Sequence, residues 1–418
     1  MRILFLFAII MSLSTHLVCQ TFYLSTQAEI DQFDVNIRYI NGSLRIFESP
    51  QTNDPITDLS RFSLIDSISG ELVISGCSSL TSIDGFTNLK KVGDQLKIFG
   101  NSKVSEITGF NELNSINWFI NIVSNDSLRV IDAFEKLPKA FGIDISSNVL
   151  LTNIIGFDQL VSLDHLEVSG NPRLINMSGF SKLISAAHIE IDGNRSLKSL
   201  TSLSNITQIT QELYIVGNDS LVAIDGFFNI DSLRSLFMTG NNSLRHIDGF
   251  SKIRNMKDIS IIYNARLQNI DGFARLEVLG DALNISSNDS LSNIAGLSNL
   301  ATVGRTLSIT ANSQLKTCCP IIRLLEDPLS VGNGNIRIQD NAPGCNSPSE
   351  IILTECPGSM TAKGRLYFDV NMNGCDTTDV GFTDFSFQSF INGQQTQHLS
   401  NGEANYNILL ENGLITIV

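Results

Sequence analysis

The sequence predicts an all-β-dominated chain, a parallel β-solenoid followed by a small C-terminal β-sandwich domain. Three features carry that reading. One phrase recurs at fixed offsets, as "NDSLRVIDAFEKL" from Asn125, "NDSLVAIDGFFNI" from Asn218, "NNSLRHIDGFSKI" from Asn241, "NARLQNIDGFARL" from Asn264 and "NDSLSNIAGLSNL" from Asn288. Short strand-like cores, among them "LKI" at Leu96, "INI" at Ile120, "LEV" at Leu166, "IEI" at Ile189 and "LNI" at Leu283, return every 23 or 24 residues, and a fixed period of that size marks a solenoid. The period stops after Pro357, where "KGRLYFDVNMNGCDTTDVGFTDFSFQSFING" opens a pattern of short alternating strands.

A length of 418 residues would otherwise suggest several domains, but the repetition makes most of the chain one elongated body. With 42% apolar and 17% charged residues a sizeable core can form, and a formal net charge of -14 with no basic block argues against a nucleic-acid partner.

In chain order, residues 1–19 place Arg2 ahead of an apolar run and a more polar stretch, the plan of a secretory signal peptide cleaved near Cys19 or Gln20. Lipidation of Cys19 is the rival reading, and Val18 stands where that signal wants a small residue. No later run is long and apolar enough to span a bilayer, so a secreted or cell-surface location is expected. Residues 20–42 form an N-terminal cap: in "STQAEIDQF", Thr26 and Glu29 match a capping box, and Ile30 and Phe33 would sit on the core. Such a cap covers the strand edge that the end of a solenoid leaves unpaired.

Residues 43–356 are the coils. Within each core triplet the outer two residues are apolar and the middle one varies, so one face of a short strand is buried and the other free. Three residues beyond comes Asn, at positions 101, 125, 148, 171, 194, 218, 241, 264, 288, 312 and 341, with Ser49 and Cys77 in its place in the first two coils. Stacked at the strand spacing of about 4.8 Å, these amides can pair with one another and with the turn backbone. Apolar residues then follow at every third position, which suits short strands and turns around a narrow core. Phe86, Phe110, Phe134, Phe157, Phe180, Phe227, Phe250 and Phe273 would line its interior. At the far end Cys318, Cys319, Cys345 and Cys356 cluster in a C-terminal cap, where an exported chain is expected to form two disulfides, all three pairings being open. Cys77 reads as a buried thiol.

These coils in register resemble the receptor L domain, the right-handed β-helical relative of leucine-rich repeats in growth-factor receptors, and particularly its long arrays in bacterial surface proteins of the Bacteroidota type. The resemblance spans Ser43 to Cys356 and implies an extracellular ligand-binding or adhesive scaffold without catalytic residues. Residues 359–418 resemble the B-type β-sandwich repeats of bacterial surface proteins, which often carry a calcium loop. That resemblance implies Asp369, Asn371, Asn373 and Asp379 as oxygen ligands, with Gly374 at the turn. The segment between Gly374 and Asp379 is one residue short and lacks a closing Glu, and an ion-free Asn/Asp/Gly hairpin is the alternative. Arrays of this kind often continue into further sandwich repeats, so a truncated sandwich or fragment is one expectation.

In a solenoid, residues far apart in sequence become neighbours down a column. "HLE" and "HIE" in consecutive coils put His165, Glu167, His188 and Glu190 on one outward face beside Asp144 and Asp192. Two imidazoles and carboxylates at strand spacing could hold a divalent transition metal, the alternative being a solvated charged face. The next coils place Tyr214, Val216, Phe237 and Ile262 outward with Tyr263 at the adjoining corner, an apolar candidate ligand-binding patch. A smaller patch gathers Trp118, Phe119, Phe99 and Val123. Asp225, Asp248 and Asp271, each before Gly, are ordinary turn residues that could also recruit calcium. No nucleophile elbow, zincin helix or phosphate loop is present. The expected function is a non-catalytic scaffold for an extracellular protein or glycan; the alternatives are a polysaccharide-active β-helix enzyme using the acidic and His face, and a pure spacer.

Overall fold

The computed structural model describes residues 20–49, 52–327 and 329–353, and beyond them the strand segments 360–365, 367–368, 380–381, 386–391, 394–399, 405–410 and 415–417. The expected signal peptide with Cys19, Cys356, Cys375 and the expected calcium ligands Asp369, Asn371, Asn373 and Asp379 lie outside the described residues. The chain divides into two compact units, Met1–Leu233 and Arg234–Val418, and each carries parallel β-solenoid coils.

In the first unit nine strands form one parallel ladder: β1 (Phe22–Leu24), β2 (Leu44–Phe47), β3 (Leu72–Ser75), β4 (Leu96–Phe99), β5 (Phe119–Val123), β6 (Lys139–Ser146), β7 (Ser162–Ser169), β8 (Ser185–Asp192) and β9 (Gln208–Val216). Core residues lie on core residues, as in Leu96↔Ile120↔Ile143↔Leu166↔Ile189↔Leu213. A slip of one residue would turn that whole row to solvent, so the hydrophobic pattern sets the register. Two further stacks of two-residue strands complete the coil. One runs through Tyr39–Ile40, Ser67–Ile68, Lys91–Val92 and Ser115–Ile116; the other runs through Ser82–Ile83, Glu106–Ile107, Val130–Ile131 and Asn153–Ile154.

The expected aromatic column exists and is longer than the sequence reading gave. Phe62, Phe86, Phe110, Phe134, Phe157 and Phe180 are fully buried and stack ring on ring, with centroids 4.8 to 5.4 Å apart. Phe33 closes its N-terminal end edge-on to Phe62 at 5.3 Å. The cap helix Gln27–Asp31 starts at Thr26, whose side chain accepts from the Glu29 N–H. The capping box is offset by one residue, because Glu29 accepts from the N–H of Ser25 and not of Thr26.

The Asn column works as a relay. Asn101, Asn125, Asn148, Asn171, Asn194 and Asn218 are fully buried. The backbone N–H of each of the first five donates to the side-chain Oδ1 of the next, at 3.0 to 3.2 Å. Each Nδ2 donates to a strand carbonyl one coil back, as Asn171 does to Ile145 at 2.8 Å. Groups that a tight corner would strand are thus paired inside the core. The residue before each Asn takes left-handed backbone, Gly100 at φ 66°, Ser124 at 55°, Ser147 at 58° and Gly170 at 62°, which is why Gly recurs there. Cys77 occupies the position of the missing Asn: its N–H donates to Asn101 Oδ1 at 3.0 Å. Burial, seconded by the Glu48 charge, pushes its thiol up to about 12.

The second unit repeats the plan with β10 (Ser232–Thr239), β11 (Asp258–Ile262), β12 (Ala282–Ser286), β13 (Thr306–Thr310) and β14 (Asn335–Gln339) in parallel register. Its Asn relay runs from Asn241 through Asn264, Asn288 and Asn312 to Asn341, and Phe250 stacks on Phe273 at 5.4 Å. At the cap, Cys318 is bonded to Cys345 across 27 residues, and Cys319 is also in a disulfide. Beyond Leu353 the described backbone pairs antiparallel, Met360–Arg365 with Asn405–Leu410, and Ser386–Ile391 with Gln394–Leu399 and Ile415–Ile417.

Candidate functional site

Along the first unit the ladder strands lengthen, from four residues in β4 to eight in β6, β7 and β8 and nine in β9. The extra residues are N-terminal, and there the in-out alternation slips. In β7 both Leu163 and Leu166 are buried while Asp164 and His165 between them face out. Two successive outward residues mean that the strand turns a corner, so Asp164–His165 and, by register, Ala187–His188 sit on a bend. The pairing of β8 with β9 shifts between Ala186 and Ile189 of β8, which face Ile209 and Leu213 of β9. One more residue there, a bulge, brings Glu212 up beside His188.

On that bend the two imidazoles stack, centroids 4.7 Å apart and 5° from parallel. Nε2 of His165 lies 3.7 Å from Glu167, Nε2 of His188 lies 3.7 Å from Glu190, and His188 Nδ1 lies 3.5 Å from Glu212. Tyr214 tilts against His188 at 5.4 Å. On the other side Phe119 lies across Gly142, where a Cβ would fall 2.2 Å from its ring, and reaches His165 at 5.8 Å. Glycine is required there by close approach and not by backbone angle. Trp118, 45% exposed, stacks on Phe141 at 4.1 Å and 7°.

The quartet His165, Glu167, His188 and Glu190 is therefore brought together as the sequence suggested, but in parallel. In-register strands hold equivalent side chains side by side, so each Nε2 faces the carboxylate of its own strand, and His188 Nδ1 faces Glu212. Among the described residues no three of His, Cys, Asp or Glu are placed to hold a metal ion. The Asp144 carboxyl is held above the usual range by burial, opposed by a hydrogen bond from Ser146 and reinforced by the Glu167 charge, and its Oδ1 is buried with no hydrogen-bond partner. Asp192 is raised likewise by burial and by Glu167. The Tyr214 phenol is raised by burial and then by Glu212 and Glu190.

The apolar candidates divide between the units. Tyr214 and Val216 are half-buried on β9 of the first. In the second, Phe237 and Ile262 are half-buried on adjacent strands, their register partners being Ser260 and Thr239. Tyr263, at the following corner, is 62% exposed with φ 57°. Of the smaller patch, the Trp118 and Phe119 rings meet Phe141 and His165.

Sequence reasoning missed Phe141, Gly142, Glu212 and a cleft of about 310 Å³ beside them at the N-terminal ends of β6 to β9. The available signal was "KAFGIDIS", whose alternation runs well ahead of the "IDI" core. No protein-family model matches the chain, and no curated protein matches it. Fold and site together define a parallel β-solenoid protein with an outward face of aromatic, His and carboxylate side chains. Among the described residues no helix is long and apolar enough to cross a membrane.

Proposed function

We propose that this protein is an exported, non-catalytic ligand-binding or adhesive scaffold at a bacterial cell surface, of the receptor-L-like solenoid kind, followed by a B-type sandwich that takes calcium through Asp369, Asn371, Asn373 and Asp379. Its partner is an extracellular protein or glycan recognised by shape and surface chemistry. The observation that carries the reading is Tyr263. In the left-handed corner column of the second unit, Gly240, Ser287 and Ala311 stand at equivalent positions, whereas a bulky aromatic side chain is held there 62% exposed at φ 57°. Backbone strain with little packing in return is a mark of a side chain kept for display. Phe237 and Ile262, half-buried on adjacent strands of the same unit, are the other apolar candidates there.

A polysaccharide-active enzyme is the second reading, favoured by the raised carboxyl of Asp144 with Glu167 as its register neighbour, since glycosidic chemistry uses a pair of carboxyl groups, one of them a general acid with a raised pKa. An array of glycans and extracellular-matrix proteins, probed with the wild type and with Phe237→Ser and Glu190→Gln, separates the readings. Binding lost with Phe237→Ser supports the scaffold. Saccharide cleavage abolished by Glu190→Gln would establish the enzyme, and no binding at all would leave only a spacer.

A further inference from the structure

We propose that the cleft at the N-terminal ends of β6 to β9, together with the Trp118–Phe141 stack beside it, binds a neutral glycan chain laid across the strands. The proposal rests on the ligand-binding reading above and assigns a ligand class to the first unit.

The cleft holds about 310 Å³, and Ala187 is among the small side chains that line it. Its polar lining repeats with the coil. Ser162, Ser185 and Gln208 are register partners on β7, β8 and β9, and Asp164 and Thr210 line the cleft beside them. Hydroxyl, amide and carboxyl groups therefore recur at the strand spacing of about 4.8 Å. A pyranose ring is close to that length, so successive sugars of an extended chain would meet successive rungs. Hydroxyl-bearing ligands need both donors and acceptors, and this set offers both. Phe141 directly follows the cleft residue Ala140, and its stacking with Trp118 at 4.1 Å holds the indole flat while leaving it 45% exposed. A flat exposed ring beside a polar trough fits the C–H face of one sugar while its hydroxyls turn to the trough.

Other occupants fit less well. Strands β7 and β8 are paired on both sides, so no free edge is offered there to a peptide strand. The small residues of the floor give a helix little apolar surface to bury. A polyanion would meet Asp164 in the cleft and Glu167, Glu190 and Glu212 beyond it, against one cation in the lining, Lys139.

Trp118 is the only tryptophan in the chain, so its emission reports on this site. The full chain would be titrated with cellohexaose, mannohexaose and laminarin as neutral probes and with alginate as a polyanion. The expected result is a saturable change in emission with at least one neutral probe and none with alginate. Ala187→Leu, which fills the trough, should raise that Kd at least tenfold with an unchanged circular dichroism spectrum. Trp118→Ala should do the same by calorimetry. Saturation by alginate alone, no saturation by any neutral probe, or unaltered affinity in Ala187→Leu overturns the proposal. If array binding sensitive to Phe237→Ser persists in that case, the scaffold reading survives and only the glycan site is lost.

Discussion

Asn171→Ala tests the relay on which the coil geometry depends. Asn171 is fully buried. Its Oδ1 accepts the Asn148 N–H at 3.0 Å, and its Nδ2 donates to Ile145 O at 2.8 Å and Ser169 O at 3.1 Å. The Ser169 carbonyl keeps a second donor, the Ser147 N–H at 2.9 Å, and the Ile145 carbonyl lies within the parallel ladder of β6 on β7, so truncation strands one buried group outright, the Asn148 N–H. At roughly 1–3 kcal/mol for a stranded group, the loss should be about 2 kcal/mol. Asn171→Asp sharpens the test. It keeps the acceptor for Asn148 but sets carboxylate oxygen against two carbonyls, so at pH 7 it should cost at least as much, with partial recovery on acidification as a protonated carboxyl regains a donor. Because solenoid coils can open locally, the assay is native-state hydrogen exchange at the Asn148 amide, read beside the urea midpoint. A loss below about 1 kcal/mol for the alanine variant, or an aspartate variant as stable as wild type at pH 7, would refute the relay as a source of stability.

Two further outcomes follow from the outward faces. Asp144 has a folded-state pKa raised above its unfolded value, so its contribution is most favourable at acid pH and is lost as pH rises through the folded pKa. Asp144→Asn should therefore raise the urea midpoint at pH 7, and the gain should vanish below the unfolded value of about 3.9; a lower midpoint at pH 7 would mean that the carboxylate is stabilised by a partner. Tyr263→Gly should relieve its left-handed strain and raise stability by about 1 kcal/mol in thermal unfolding while weakening any ligand bound by the second unit. A loss of stability would instead make Tyr263 a packing residue.

The sequence disclosed most of the interior. The Asn positions, the aromatic column and the strand cores all fell where the period put them, and the cap helix began at Thr26 as expected. Its reciprocal bond landed on Ser25, a shift of one residue that depends on local backbone direction. The His and Glu rows were also legible as neighbours, since equal offset in successive coils means adjacency. Which carboxylate each ring nitrogen faces was not, because it depends on ring orientation.

What the sequence determined by itself is therefore whatever repeats: every coil meets the same two neighbours, so each buried position faces the same demand for volume or for a hydrogen-bond partner and answers with the same residue. Outward positions are under no such demand. The bend at Asp164–His165, the extra residue that delivers Glu212 to His188, and the gap at Gly142 filled by Phe119 arise from how a particular strand pairs and turns against the one beside it. Only the tertiary structure decided those, and with them the shape of the face and its cleft, because a local change in pairing redirects side chains without altering the period that encodes the core.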